Sequence, residues 1–289
     1  MTEGILLAFS AAMIYGFLGV CYETAAKRHY RIWDVGLFMQ LTGFLIGLTV
    51  TAFLRLPFYD PHLLYLGIIG GVSFVAGIYF YLTASRERDI AANWTILNLA
   101  VVLPILVSVF WFKDTLTLTK ACGIVVTLAS IVVIGSSFSK TGGGRPSLRW
   151  FIFISLAFAV NAIIPILLRF VPARQSALFT TYLYGTGLLS FLIIRIVTKS
   201  GRKTEGGLIR IAAGAAATHW SGIMLTMIAL TLVGRVSTQA GVIVYPITNG
   251  LVIPLGVVLG ALLLKEKISS GSWTGVLLGT AAMVFLALP

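Results

Sequence analysis

Phe112-Lys113-Asp114-Thr115-Leu116, with Gly123 nine residues after the aspartate, is written a second time as Leu264-Lys265-Glu266-Lys267-Ile268, with Gly275 nine residues after the glutamate. Each copy is a short charged junction that runs into an apolar helix. Working back from the two junctions, Trp94-Thr95-Ile96-Leu97-Asn98 with Pro104 is echoed by Tyr245-Pro246-Ile247-Thr248-Asn249 with Pro254. Gly77 and Ala84 are echoed in the same way by Gly222 and Ala229. An aromatic residue four positions before an asparagine shares its helix face, so both copies present a matching polar and aromatic face. The chain reads as a duplication.

Ten apolar stretches fill the 289 residues, at 4–22, 32–54, 62–84, 90–112, 116–138, 148–170, 175–198, 207–232, 237–264 and 268–288. Each runs for about 19–28 residues, enough at about 1.5 Å per residue to cross a hydrocarbon core of roughly 30 Å. With 58% hydrophobic and 10% charged residues, too little polar surface remains to clothe a soluble fold. The expected fold class is all-α, a polytopic membrane protein with ten transmembrane helices. Residues 1–20 lack the basic start of a signal peptide and carry Glu3 instead, so the first helix is expected to stay in the mature protein.

Asp60-Pro61, Gly142 to Gly144 before Arg145-Pro146, Val171-Pro172 and Ser200-Gly201 mark the breaks between stretches. The polar run at 136–147 divides the chain near its midpoint. It gives a first five-helix repeat at 1–138, a linker at 139–147 and a second repeat at 148–289. Five spans is an odd number, so the second half enters the membrane upside down relative to the first. Two inverted repeats offer two alternative closures of one central site, which is what alternating access requires.

A net charge of +12 would ordinarily point to nucleic acid. Here the basic residues sit in short loops beside apolar stretches: Lys27, Arg28 and Arg31; Arg86 and Arg88; Lys140, Arg145 and Arg149; Lys199, Arg202 and Lys203. Anionic membrane lipids are the simpler partners, and no nucleic acid is expected. Cys21 and Cys122 form no metal-ligand spacing, so neither metal nor cofactor is expected. There is no cluster of catalytic groups for an enzyme and no ring of repeated polar side chains for a channel.

On these residues the chain resembles the drug/metabolite transporter superfamily, specifically its EamA-type ten-span members. In that family each half has a proline-bearing fourth span, an acidic residue at its exit and a glycine in the fifth span. Pro104, Asp114 and Gly123, then Pro254, Glu266 and Gly275, match that pattern. The small residues of Asp89-Ile90-Ala91-Ala92 and Val236-Ser237-Thr238-Gln239-Ala240 fit as well. The resemblance implies a secondary transporter of a small organic metabolite or drug, an exporter by the family's habit, in a cell inner membrane or plasma membrane. It also implies a cavity lined by spans one, three and four and their second-half counterparts. The sequence departs from the pattern at Asp114, where glutamate is usual, and at Tyr15-Gly16, where tryptophan often precedes the glycine. Translocation of a lipid or lipid-linked sugar is the alternative task for the same cavity.

Polar side chains at membrane depth are costly and therefore mark candidate sites. Asn98 and Asn249 each bring an amide, and Trp94 and Tyr245 bring rigid apolar surface with one polar handle. Each asparagine has a second reading as a bond between helices. Tyr15 and Asn161 stand at comparable depth in the first and sixth spans. His219, beside Trp220 in the eighth, is a candidate for proton coupling because imidazole titrates near neutral pH, and a cross-helix hydrogen bond is its structural alternative. Glu23 is the second coupling candidate, with Lys27 one turn later as its structural partner. The transported partners are then a small organic solute together with protons or a counter-substrate.

Asp114 and Glu266 fit structural roles, capping the helices that follow and pairing with Lys113 and Lys265. Orientation is read two ways. About 15 of the lysines and arginines fall in loops after odd-numbered spans and about 6 elsewhere, which places the odd loops in the cytoplasm and both termini outside. The family resemblance implies both termini inside.

Overall fold

The structure is a computed structural model. It describes residues 1–87, 90–137, 147–197, 205–237, 239–253, 255, 258–259, 262 and 270–287. Among the described residues there is helix and no strand. The α-helices are α1 Thr2–Lys27, α2 Ile32–Phe53, α3 Pro61–Ser85, α4 Ile90–Leu99, α5 Val102–Phe110, α6 Leu118–Ser137, α7 Leu148–Asn161, α8 Ile163–Leu168, α9 Ser176–Val197, α10 Gly206–Gly234, α11 Ala240–Gly250 and α12 Ser270–Ala287. Linker residues 139–146, Asp89, Pro254 and the second junction at 264–268 with Glu266 lie outside the described residues.

Among the described residues, seven helical segments are long and apolar enough to cross a membrane: Thr2–Lys27, Ile32–Phe53, Pro61–Ser85, Asn93–Phe110, Leu148–Leu168, Ala173–Val197 and Gly206–Gly234. Leu118–Ser130 and Trp273–Ala282 are shorter apolar helices. The surface agrees with a lipid setting. Phe53, Val125, Ile193 and Leu277 project large apolar side chains outward at 61–85% exposure, which water would not tolerate as a continuous belt. The chain is a multi-pass membrane protein.

Local chemistry sets the helix ends and breaks. Asp60 caps α3 by accepting the Leu63 N–H at 3.0 Å, with Pro61 at the first helical position, and Ser147 caps α7 by accepting the Trp150 N–H at 2.9 Å. Pro104 cannot bond to the carbonyl four residues earlier and its ring crowds it, so the helix interrupts at Ala100 and Val101 between α4 and α5. Pro165 has the same effect at Ala162 between α7 and α8. The residues at both interruptions, Ala100, Val101 and Ala162, are buried.

The packing pairs α1 with α10 and α3 with α7, α2 with α9, and α6 with α12. It also pairs α3 with α9 and α10 with α2, and α1 with α11 and α4 with α7. Glycines permit the closest of these approaches. A Cβ on Gly43 would run into the Tyr184 ring, and one on Gly47 would stand 2.8 Å from Thr181 Oγ1, so α2 and α9 meet backbone to side chain along this strip.

Candidate functional site

One cavity is lined by α1, α3, α4, α7, α8, α10 and α11. About 90 Å³ of it is open to the centres of water molecules, room for several waters but for no large solute in this conformation. Tyr15, Trp94, Asn98, Asn161, His219, Tyr245 and Asn249 all face it. Seven sequence candidates scattered over more than 230 positions are thereby brought together. Trp220 is not among the lining residues, because one step along a helix turns the side chain by roughly 100° from its neighbour His219. Its indole packs partly buried against the apolar core, with Nε1 unpartnered among the described residues. Glu23 is buried beside the lining residue Tyr22 but does not line the cavity itself.

The fourth and ninth stretches treat their asparagines alike. Asn98 Nδ2 donates to the Trp94 carbonyl at 2.8 Å, and Asn249 Nδ2 donates to the Tyr245 carbonyl at 3.1 Å. Asn161 Nδ2 reaches across to the Leu97 carbonyl at 3.0 Å, in the turn where α4 gives way to its proline break. Tyr245 Oη donates to the Pro165 carbonyl at 2.5 Å, where the Arg169 N–H bonds the Ile166 carbonyl instead. The last two donors each come from another helix: Asn161 ties the turn before the α4–α5 break, and Tyr245 ties the carbonyl of the proline just after the α7–α8 break.

His219 Nδ1 and Tyr184 Oη lie 2.7 Å apart, and the imidazole stacks on Phe74 with ring centroids 4.3 Å apart. This fixes the ring from two sides. Trp94 lies flat against α1 at Gly19, where a Cβ would stand 2.9 Å from the indole, so the glycine makes the seat. The Trp94 Nε1 donor has no hydrogen-bond partner among the described residues.

Sequence reasoning did not single out Tyr22, Phe74, Pro165, Leu168, Thr226 or Thr248, which also line the cavity. Helical spacing carries a signal for two of them. Tyr22 stands seven residues after Tyr15, and Thr226 seven after His219, each returning to the same face.

One end of the cavity lies toward the segments that follow the fourth, sixth and eighth apolar stretches. Leu168 lines both the cavity and a separate recess beyond it, formed with Phe112, Arg169, Val171, Met227, Leu230 and Thr231. Past Leu168, Arg169 Nη2 pairs with Asp114 Oδ1 at 3.5 Å, its guanidinium lies over the Phe112 ring at 4.5 Å, and Phe112 packs on Phe170 at 5.1 Å. Lys120 Nζ donates to Gln239 Oε1 at 2.9 Å, and Gln239 Nε2 bonds Thr115 Oγ1. Burial pushes the Asp114 carboxyl above the usual range, with Arg169 as the chief opposing influence. In place of the expected pairing with Lys113, Asp114 makes this long-range pair with Arg169. Lys113 occupies a left-handed turn at φ 59°, and the partner lies 55 residues away.

Among known proteins, residues 2–136 match the EamA-like transporter family. No curated protein matches the chain. Twenty-eight chains of solved structures do match, among them one titled only as the crystal structure of a protein, at TM-score 0.69 and 17% identity over 99% of this chain and 96% of that one. A likeness at that identity shows the shared fold.

Proposed function

We propose that this chain, whose residues 2–136 match the EamA-like transporter family, is a transporter rather than an enzyme and moves a small organic solute across a membrane by alternating access through the cavity around Asn98 and Asn249. The observation that carries the reading is the convergence of both asparagines, with Trp94, Tyr245, Asn161 and His219, on one polar and aromatic cavity. Such a lining suits a small amphipathic solute, with amides for its polar groups and rings for its apolar part.

The fold assigned to this function is ten spans in two inverted repeats, residues 1–138 and 148–289. The pairings of the helices support it. Contact of the first span with the eighth recurs as the sixth with the third, and the first with the ninth recurs as the sixth with the fourth. The second-with-seventh and fifth-with-tenth contacts map onto themselves, as a two-fold relation demands. In this reading the Leu168 layer and the Asp114–Arg169 pair form the gate at one end. Proton coupling is assigned to His219, the imidazole lining the cavity, and export is the direction given by the family's habit. Translocation of a lipid or lipid-linked sugar is not favoured by the family match.

Reconstituted protein challenged with a mass-tracked panel of metabolites tests the reading. At least one solute is expected to enter proteoliposomes saturably. Binding of solutes without flux would make the protein a receptor and end the transport reading.

A further inference from the structure

A second recess lies at the other end of the helices, by the segments that follow the first and third apolar stretches, and it is unconnected with the asparagine pair. It offers about 530 Å³ to the centres of water molecules, several times the central cavity, and its walls are mainly polar. Arg31, Arg86 and Arg149 line it together with the carboxylate of Glu87, and Arg31 Nε also meets Asp34 Oδ2 at 3.9 Å, so Arg86 and Arg149 are the cations left to outweigh Glu87. That carboxylate is already engaged, with Arg149 Nε at 3.3 Å and Ser147 Oγ donating to it at 2.6 Å. Arg86 is held in place by donating from Nη2 to the Tyr30 carbonyl at 2.9 Å, which uses one of the five N–H donors a guanidinium carries. The recess therefore keeps a net positive charge and more donors than acceptors.

Its inner wall is aromatic. Trp33 stacks on Tyr79 at 5.1 Å and 11°, and Tyr79 meets Phe153 edge-on at 5.9 Å. Two and three residues after Arg149 on α7, Phe151 and Ile152 are exposed at 59% and 47%, apolar surface a short way along the helix from the recess. Positive charge above, aromatic rings at the level of helix ends and apolar surface below match an amphiphile with an anionic head. A soluble anion would use the arginines but have no need of the apolar flank.

We infer that this recess is a binding site for the phosphate headgroup of an anionic phospholipid, held by the forks of Arg86 and Arg149 with its acyl chains along α7. Guanidinium forks match phosphate oxygens in pairs, and the Trp33–Tyr79 platform seats the glycerol region. The site is independent of the transport reading, since it requires only that the chain span a membrane.

Native mass spectrometry of the detergent-purified chain, supplied with equal phosphatidylglycerol and phosphatidylcholine, tests it. Wild type is expected to retain phosphatidylglycerol about tenfold or more over phosphatidylcholine, with Arg86→Gln/Arg149→Gln losing most of that preference and Arg174→Gln, at the opposite end, keeping it. Inorganic phosphate alone is expected to displace the lipid only weakly. Equal retention of the two lipids by wild type would overturn the proposal, and so would an undiminished preference in the folded double variant. Full displacement by inorganic phosphate would make this a soluble-anion site and also overturn it. If the double variant does not fold, the wild-type lipid ratio decides alone.

Discussion

Asp114 and Arg169 meet at 3.5 Å from the far ends of the fourth and sixth apolar stretches, the carboxylate side chain fully enclosed and the guanidinium 16% exposed. A pair so enclosed adds little net stability, yet removing one member strands the other, at a cost of about 3–5 kcal/mol where both are fully buried. Residual exposure of Arg169 lowers that figure. In the proposed function the pair belongs to the gate at that end of the cavity.

Arg169→Gln is expected to loosen that end. In a background with Cys21 and Cys122 replaced by serine, a cysteine at the cavity-lining position Thr226 should react with a membrane-impermeant maleimide about tenfold faster in the variant. An unchanged labelling rate would show that the ion pair does not close the cavity.

Acid should act on the same gate through Asp114. Its carboxyl is raised by burial, so the folded protein holds the proton more tightly than the unfolded chain. The associated contribution to stability is present below the unfolded value and lost as pH rises through the folded one, so acidification does not unfold the protein through this group. It does neutralise Asp114 and release Arg169, beginning at a pH above the ordinary carboxylate range. Maleimide labelling at position 226 should rise as pH falls in wild type and lose that dependence in Asp114→Asn. A parallel profile in both proteins contradicts the assignment.

Tyr245→Phe removes the bond to the Pro165 carbonyl and leaves a carbonyl at a helix break without that donor. The expected cost is about 1–3 kcal/mol, read as a lower thermal midpoint in detergent, with freer labelling at position 226. No change in either reading would mean the bond is dispensable.

His219→Gln keeps a hydrogen-bonding side chain for Tyr184 but cannot titrate. Folding should survive, while the pH dependence of flux weakens. A full wild-type pH profile of flux in the variant would make His219 structural, as its Tyr184 and Phe74 contacts alone would suggest.

Helical periodicity made the spans legible, because apolar stretches of bilayer length leave few alternatives. The cavity was legible where the duplication repeated it, at Trp94 and Asn98 and again at Tyr245 and Asn249. What the sequence concealed were the contacts across long separations. Asp114 sits beside Lys113, and nothing in local spacing indicates that it turns instead to Arg169. Phe74 and Leu168 look like any other apolar residue in a span, and only packing brings them to the cavity. Trp220 shows the converse, since nearness in sequence to His219 does not survive one step of helical rotation.

Flux in proteoliposomes of wild type against Asn98→Ala/Asn249→Ala tests the transport cavity most directly, using whichever solute the metabolite panel identifies. Both proteins should fold, with matched thermal midpoints to within a few degrees, and the double variant should lose most saturable uptake. Undiminished saturable uptake by the folded double variant would contradict transport through this cavity.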